Sequence, residues 1–227
     1  MAVLVIITLI LSIALMVVWT RWRRAARADY IRTYMFPKGI FAKLQAKRPG
    51  LTLKDCQLTA RALRQYFLAH LKSGRQFVSM PSQVADDLWH ELILYTRHYE
   101  AFCDKAFGRF MHHTPAVVLS ADRQNNTGLR RTWWYACLEE NINPRAHTRL
   151  PLLFALDAKL NVSDGFRYAP DCESLRHGGN SGTTYCGGDF SSSSYDGSTD
   201  GFGDSSSGDG SGSGDSGGDG GCGGGGD

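Results

Sequence analysis

Hydrophobic positions fall into one unbroken block and then a series of periodic runs. From Ala2 to Trp19 the chain reads AVLVIITLILSIALMVVW, eighteen residues without a charge and with Thr8 and Ser12 as the polar interruptions. A bilayer core takes about 20 apolar residues of helix, so the block sits at the short end of a spanning segment. A soluble core helix rarely avoids polar residues on every face. A cleaved signal peptide carries its basic residues before the apolar run, whereas here they follow it and Trp19 ends the run. The pattern therefore predicts a membrane anchor over residues 1–20.

Beyond it the apolar spacing is that of helices. Thr52 followed three residues later by Asp55 resembles a capping box, and Leu53, Cys56, Ala60, Leu63, Phe67 and Leu71 then recur at helical intervals up to Ser73-Gly74. Phe77 to Met80 reads as a short extended stretch ended by Pro81. Ser82 is placed to cap one long helix carrying Ala85, Leu88, Leu92, Thr96, Tyr99 and Cys103 on its apolar side. Gly108 and Pro115 mark a loop, and Ser120 starts a helix running to about Glu140 with Leu129, Trp133, Ala136 and Cys137 inward. Asn143-Pro144 closes that helix, and a short one is expected over Leu152 to Leu160. Few runs alternate with period two, so the body, residues 36–172, is expected to be all-α.

Charge changes this picture at both ends. The chain holds 25 Lys plus Arg against 22 Asp plus Glu, a net +3, but from Gly178 to Asp227 every charged residue is an Asp, eight in all. The first 177 residues thus carry 25 − 14 = +11 and the tail −8. Of those last 50 residues, 20 are Gly and 12 are Ser, too little apolar surface to offset the entropy of ordering, so residues 173–227 are expected to be disordered. What remains is one domain's worth of chain, which excludes a multidomain enzyme. Arg21, Arg23, Arg24, Arg27 and Arg32 form a basic juxtamembrane arm over residues 21–35 with no Lys or Arg before the anchor. By the positive-inside rule this puts the N-terminus outside and the body in the cytoplasm, with the lipid bilayer and its anionic headgroups as one partner. Juxtamembrane position explains these arginines, and no interleaved aromatics follow, which argues against nucleic acid. Six scattered cysteines on a reducing face do not make a disulfide framework.

The richest chemistry lies at Asp86-Asp87-Leu88-Trp89-His90-Glu91. At about 100° per residue Asp86 and His90 share one stripe of the helix, opposite Leu92. A carboxylate four residues before a histidine orients the imidazole and makes it more basic, which suits a metal ligand or a general base. The same geometry describes a solvated face with an ion pair worth a few tenths of a kcal/mol. His112 and His113, just after Phe107-Gly108-Arg109-Phe110, are placed to swing back and complete a set of Asp86, His90, His112 and His113 around a divalent metal such as zinc. No CxxC, HExxH, EF-hand or GxxxxGK[ST] pattern supplies a more specific signature. On one continuous helix Cys103 falls nearly opposite His90, so a Cys-His pair is excluded and Cys103 reads as a buried thiol.

Residues 81–113, PSQVADDLWHELILYTRHYEAFCDKAFGRFMHH, resemble the glycine-rich domain-containing protein family of bacteria and plants. The hallmark is carried here by Asp86, Trp89, His90, Ile93, Leu94, Tyr99, Phe102, Cys103, Phe107, Gly108 and His113. Residues 150–172 also look like the C-terminal part of bacterial members, many of which end in a Gly- and Cys-rich tail. The resemblance implies a domain without an assigned biochemical activity, and Asp86, Trp89, His90 and His113 are the candidate functional surface. Together these features point to a single-pass membrane protein acting as a binding or scaffold module for a protein partner. The alternative is a metal- or histidine-dependent enzyme centred on Asp86 and His90.

Overall fold

A computed structural model describes residues 1–113, 124–170 and 184–186 of the chain. Its first helix, α1 (Ala2–Thr33), runs without a break through both the apolar block and the arginines that follow. It is long and apolar enough to cross a membrane, and none of its most apolar window is buried in the protein. Residues 21–35 do not hang free. Ala28 and Ile31 on the last turns are buried in the core, and Arg32 donates to both carboxylate oxygens of Glu139, at 2.7 and 3.0 Å.

The body is mostly helical. A short helix that periodicity did not reveal, α2 (Ile40–Lys47), buries Ile40 and Leu44. The central element is α3 (Leu53–Lys72), which packs against α1, α2 and the later helices among the described residues. Its start is the anticipated capping box: the Asp55 amide donates to Thr52 Oγ1 at 3.2 Å and the Thr52 amide to Asp55 Oδ2 at 2.9 Å. Phe67 on α3 centres the core, with its ring 4.8 Å from Phe102 and 6.0 Å from Trp89.

The long helix expected from Ser82 to Cys103 is two, α4 (Gln83–Leu94) and α5 (Thr96–Phe107). Tyr95 between them has ψ 59°, outside the helical range, and its amide donates to Leu92 O in a tightened last turn. No Gly or Pro marks the break. Tyr95 is instead engaged by tertiary contacts, its hydroxyl donating to Lys38 O and its ring lying 4.8 Å from the Lys43 ammonium. Helix α6 (Gln124–Glu139) buries Trp133, Ala136 and Cys137 as its spacing predicts; the expected cap at Ser120 lies outside the described residues. Gly128 on α6 is a required close approach, because a Cβ there would lie 2.4 Å from Ser79 Oγ and 2.6 Å from the Phe77 ring. Helix α7 (Leu152–Lys159) closes the body.

The two strands among the described residues, β1 (Arg167–Ala169) and β2 (Thr184–Cys186), pair in parallel with Tyr168 opposite Tyr185. The second belongs to the stretch that composition marks as disordered, so pairing with the body reaches at least to Cys186. The rest of that stretch falls outside the described residues, as do Cys172 and Cys222. Cys56, Cys103 and Cys137 are free thiols buried in the core.

Candidate functional site

The site is built on the first turns of α4, and a buried carboxylate from α7 fixes where that helix begins. Asp157 accepts from Ser82 Oγ at 2.7 Å, the Gln83 amide at 2.7 Å, the Val84 amide at 3.2 Å and the Phe166 amide at 2.9 Å. Ser82 Oγ accepts from the Ala85 amide, so the opening amides of α4 all have partners. With the helix start held, Asp86 and Asp87 point to opposite surroundings.

Asp87 is 2 % exposed and paired with Lys47 at 2.5 Å and Arg48 at 2.7 Å, and Arg48 also bridges to Asp164. Asp86 is 21 % exposed and meets two imidazoles. His90 Nδ1 lies 3.4 Å from Asp86 Oδ2, one turn along α4. His113 Nε2 lies 2.9 Å from Asp86 Oδ1, bridging from the loop after α5. The two imidazole centroids are 4.3 Å apart.

That loop is held by a chain of hydrogen bonds. Trp89, 2 % exposed, donates from Nε1 to Tyr99 Oη at 3.1 Å, and Tyr99 donates to Met111 O at 2.5 Å. Burial raises the Tyr99 phenol far above its ordinary value, so the hydroxyl keeps the proton this relay needs. The edge of Trp89 also meets the His113 ring at 4.5 Å. Trp89 is therefore the support of the site from below, not a surface contact. His112 is not part of the cluster; its ring lies against Phe110, 4.9 Å between centroids. Cys103 is wholly buried, and desolvation raises its thiol, which removes it as a nucleophile for a reason independent of helix phase.

Asp86, His90 and His113 each offer one ligand atom, and the three lie within 4.8 Å of one another. Zinc bonds of about 2.0–2.1 Å put neighbouring ligands of a tetrahedron about 3.3 Å apart; His113 lies 2.9 Å from one Asp86 oxygen and His90 3.4 Å from the other, so small side-chain movements would bring one oxygen and both ring nitrogens to that spacing. His113 Nε2 is hydrogen-bonded to Asp86 Oδ1, and a bound cation would take the place of the proton between them. Three protein ligands would leave a fourth position for another group, and Asp86 and His113 line a cavity of about 540 Å³.

Sequence reasoning did not identify the rest of the cavity wall. Phe77, Met80 and Phe110 make it apolar, while Arg75, Arg109 and His70 supply polar groups. His70 follows Phe67 by three residues and therefore lies on the apolar stripe of α3, a position that marks a histidine for scrutiny. Its Nδ1 donates to Gln76 O at 2.9 Å. Burial, with Arg109 and Arg75 adding to it, pushes His70 down to about 4, so the ring is neutral at physiological pH. The arginines reach the cavity from turns that no local pattern links.

A family model described as UCP032817-like, an uncharacterised family, matches residues 26–190, well over half of the chain, and the chain belongs to that family. The match takes in the docked end of α1, the whole helical body and the paired strands, and leaves out the apolar block. No curated protein and no solved structure matches the chain.

Proposed function

We propose that the chain is a membrane-anchored binding module whose ligand site is the cavity beside α4, with a divalent cation such as zinc held by Asp86, His90 and His113. The observation that carries this reading is the convergence of three ligand atoms within 4.8 Å, two of them from Asp86 and His113, which line a cavity of about 540 Å³. The Trp89–Tyr99–Met111 relay supports it, since ligands held by buried partners are oriented before the ion arrives. In this reading α1 crosses the bilayer with the N-terminus outside, because its arginines follow the apolar block, and the body faces the cytoplasm toward a protein or small-molecule partner. The resemblance of residues 81–113 to glycine-rich domain-containing proteins supports the same site, since Asp86, Trp89, His90 and His113 all belong to that hallmark.

An open fourth position is also the arrangement of catalytic zinc, which keeps a metal-dependent enzyme as the second reading. The test of the cation itself comes first. Protein purified without a histidine tag should carry about one zinc per chain after incubation and dialysis, and zinc at 100-fold over its Kd should stabilise the fold by about 2.7 kcal/mol. D86N, H90Q and H113Q should each lose the bound zinc while keeping helical circular dichroism. Zinc-free wild-type protein with no zinc-dependent melting shift would overturn the reading.

A further inference from the structure

We propose that the same cavity recognises a phosphate group, carried by a soluble phosphate monoester or by a lipid headgroup, and that Arg75 and Arg109 are its anion-binding residues. The inference rests on the reading of this cavity as the ligand site and names the class of ligand it takes. Both arginines line the cavity wall together with Asp86 and His113. Their guanidinium groups are already positioned by backbone carbonyls, Arg75 Nη1 donating to Phe107 O at 3.0 Å and Arg109 Nη2 to Arg75 O. Each of these contacts uses one of five N–H donors, so the groups are aimed and still have donors to offer.

These contacts also place cations at the C-terminal ends of α3 and α5, where the helix dipoles favour them. That role accounts for one charge per helix end, and the charge here is greater. Arg27 lies over the same turn, its Nη2 2.6 Å from where a Cβ on Gly108 would be. Burial holds Arg27 below the usual arginine range, and Arg23 and Arg75 push it the same way. Among the described residues no carboxylate pairs with Arg23, Arg27, Arg75 or Arg109. A cluster of unneutralised guanidinium groups against a neutral His70 is a field awaiting an anion. With Asp86 engaged by a divalent cation, the cavity wall carries no free carboxylate. Two guanidinium groups and a cation then face one small volume, a pattern that a phosphate dianion with three acceptor oxygens satisfies.

The position of the cluster says where such a ligand comes from. Arg23 stacks over Trp19 at 4.6 Å, at the end of the apolar block, and Arg27 follows Trp19 by eight residues, about 12 Å of helix rise. Arg27 sits beside Gly108, next to the cavity-lining Arg109, so the arginine cluster runs from the anchor to the cavity wall, whose Phe77, Met80 and Phe110 suit the apolar part of an amphiphile.

The test uses the full chain in phosphatidylcholine nanodiscs, titrated with phenyl phosphate by calorimetry, with zinc content measured on every sample. Saturable binding is expected, weakened by about tenfold or more in R75Q/R109Q and unchanged in R21Q, which alters an arginine outside the cluster. If R75Q/R109Q loses its melting transition, R109Q and R75K/R109K carry the comparison, since lysine keeps the charge and loses the fork. Phosphatidic acid in the disc should compete with phenyl phosphate if the ligand is a lipid headgroup, and should leave the titration unchanged if it is soluble; both results support the site. No saturable binding, or equal affinity in the variants, overturns the proposal. Zinc bound without phosphate binding overturns this inference alone, and phosphate binding to zinc-free protein overturns the cation reading alone.

Discussion

Asp86 and Asp87 are neighbours in the chain and opposites in the fold. Asp87 is sealed against Lys47 and Arg48, permanent cations that leave it nothing to exchange. Asp86 faces two imidazoles, whose ring nitrogens can hold a metal in place of a proton. The distinction is one of partner type rather than burial alone. A carboxylate whose partners are fixed cations locks α2 to α4, whereas one whose partners are metal-binding imidazoles, beside a cavity, keeps its chemistry available.

The largest effect should come from disturbing the locked side. D87A strips a buried carboxylate from two cations and should cost about 3 kcal/mol in urea melts. D86A should cost less, about 1–2 kcal/mol, because it removes the bond to the part-buried His113, while His90 is 44 % exposed and water replaces its lost partner. Equal losses in the two variants would erase the contrast.

The second expected effect is on pH dependence, and it falls on the cavity. His70 has a folded value of about 4 against 6.5 for the free side chain, so the unfolded chain binds the extra proton between those values. Its contribution is complete above about pH 6.5, declines as the pH falls and is gone near pH 4, amounting to up to about 3 kcal/mol. H70Q should flatten that part of the stability curve while leaving the region above pH 7 nearly unchanged in slope. An unchanged slope in H70Q would show that the ring is solvated.

How far such features can be read from sequence depends on how local they are. The Thr52–Asp55 box was legible because both partners lie within one turn. The Asp86–His90 stripe was legible for the same reason, and its partner His113 was narrowed to two adjacent histidines. The break at Tyr95 was not, because Lys38 and Lys43 engage that residue from a distant segment and no breaker residue marks it. Asp157, which sets the start of α4 from more than seventy residues away, read only as one residue of a short helix. Arg75, Arg109 and His70 meet only when α3 and α5 end side by side.

The smallest expected effect separates His112 from His113. Sequence treats the two as equivalent, and both line the cavity. His113 is 12 % exposed, hydrogen-bonded to Asp86 and braced by Trp89, whereas His112 is exposed and touches the Phe110 ring. H113A should therefore cost about 1–2 kcal/mol, because it removes a charge-assisted bond, and should abolish zinc binding. H112A should change stability by less than about 0.5 kcal/mol and leave the zinc stoichiometry intact. The difference between neighbours tests the loop geometry itself. Tyr99 pins Met111, and the next two residues then alternate between solvent and site. If H112A were to lose zinc as H113A does, the loop would hold both rings at Asp86, and the division between a supported ligand and an exposed neighbour would fail.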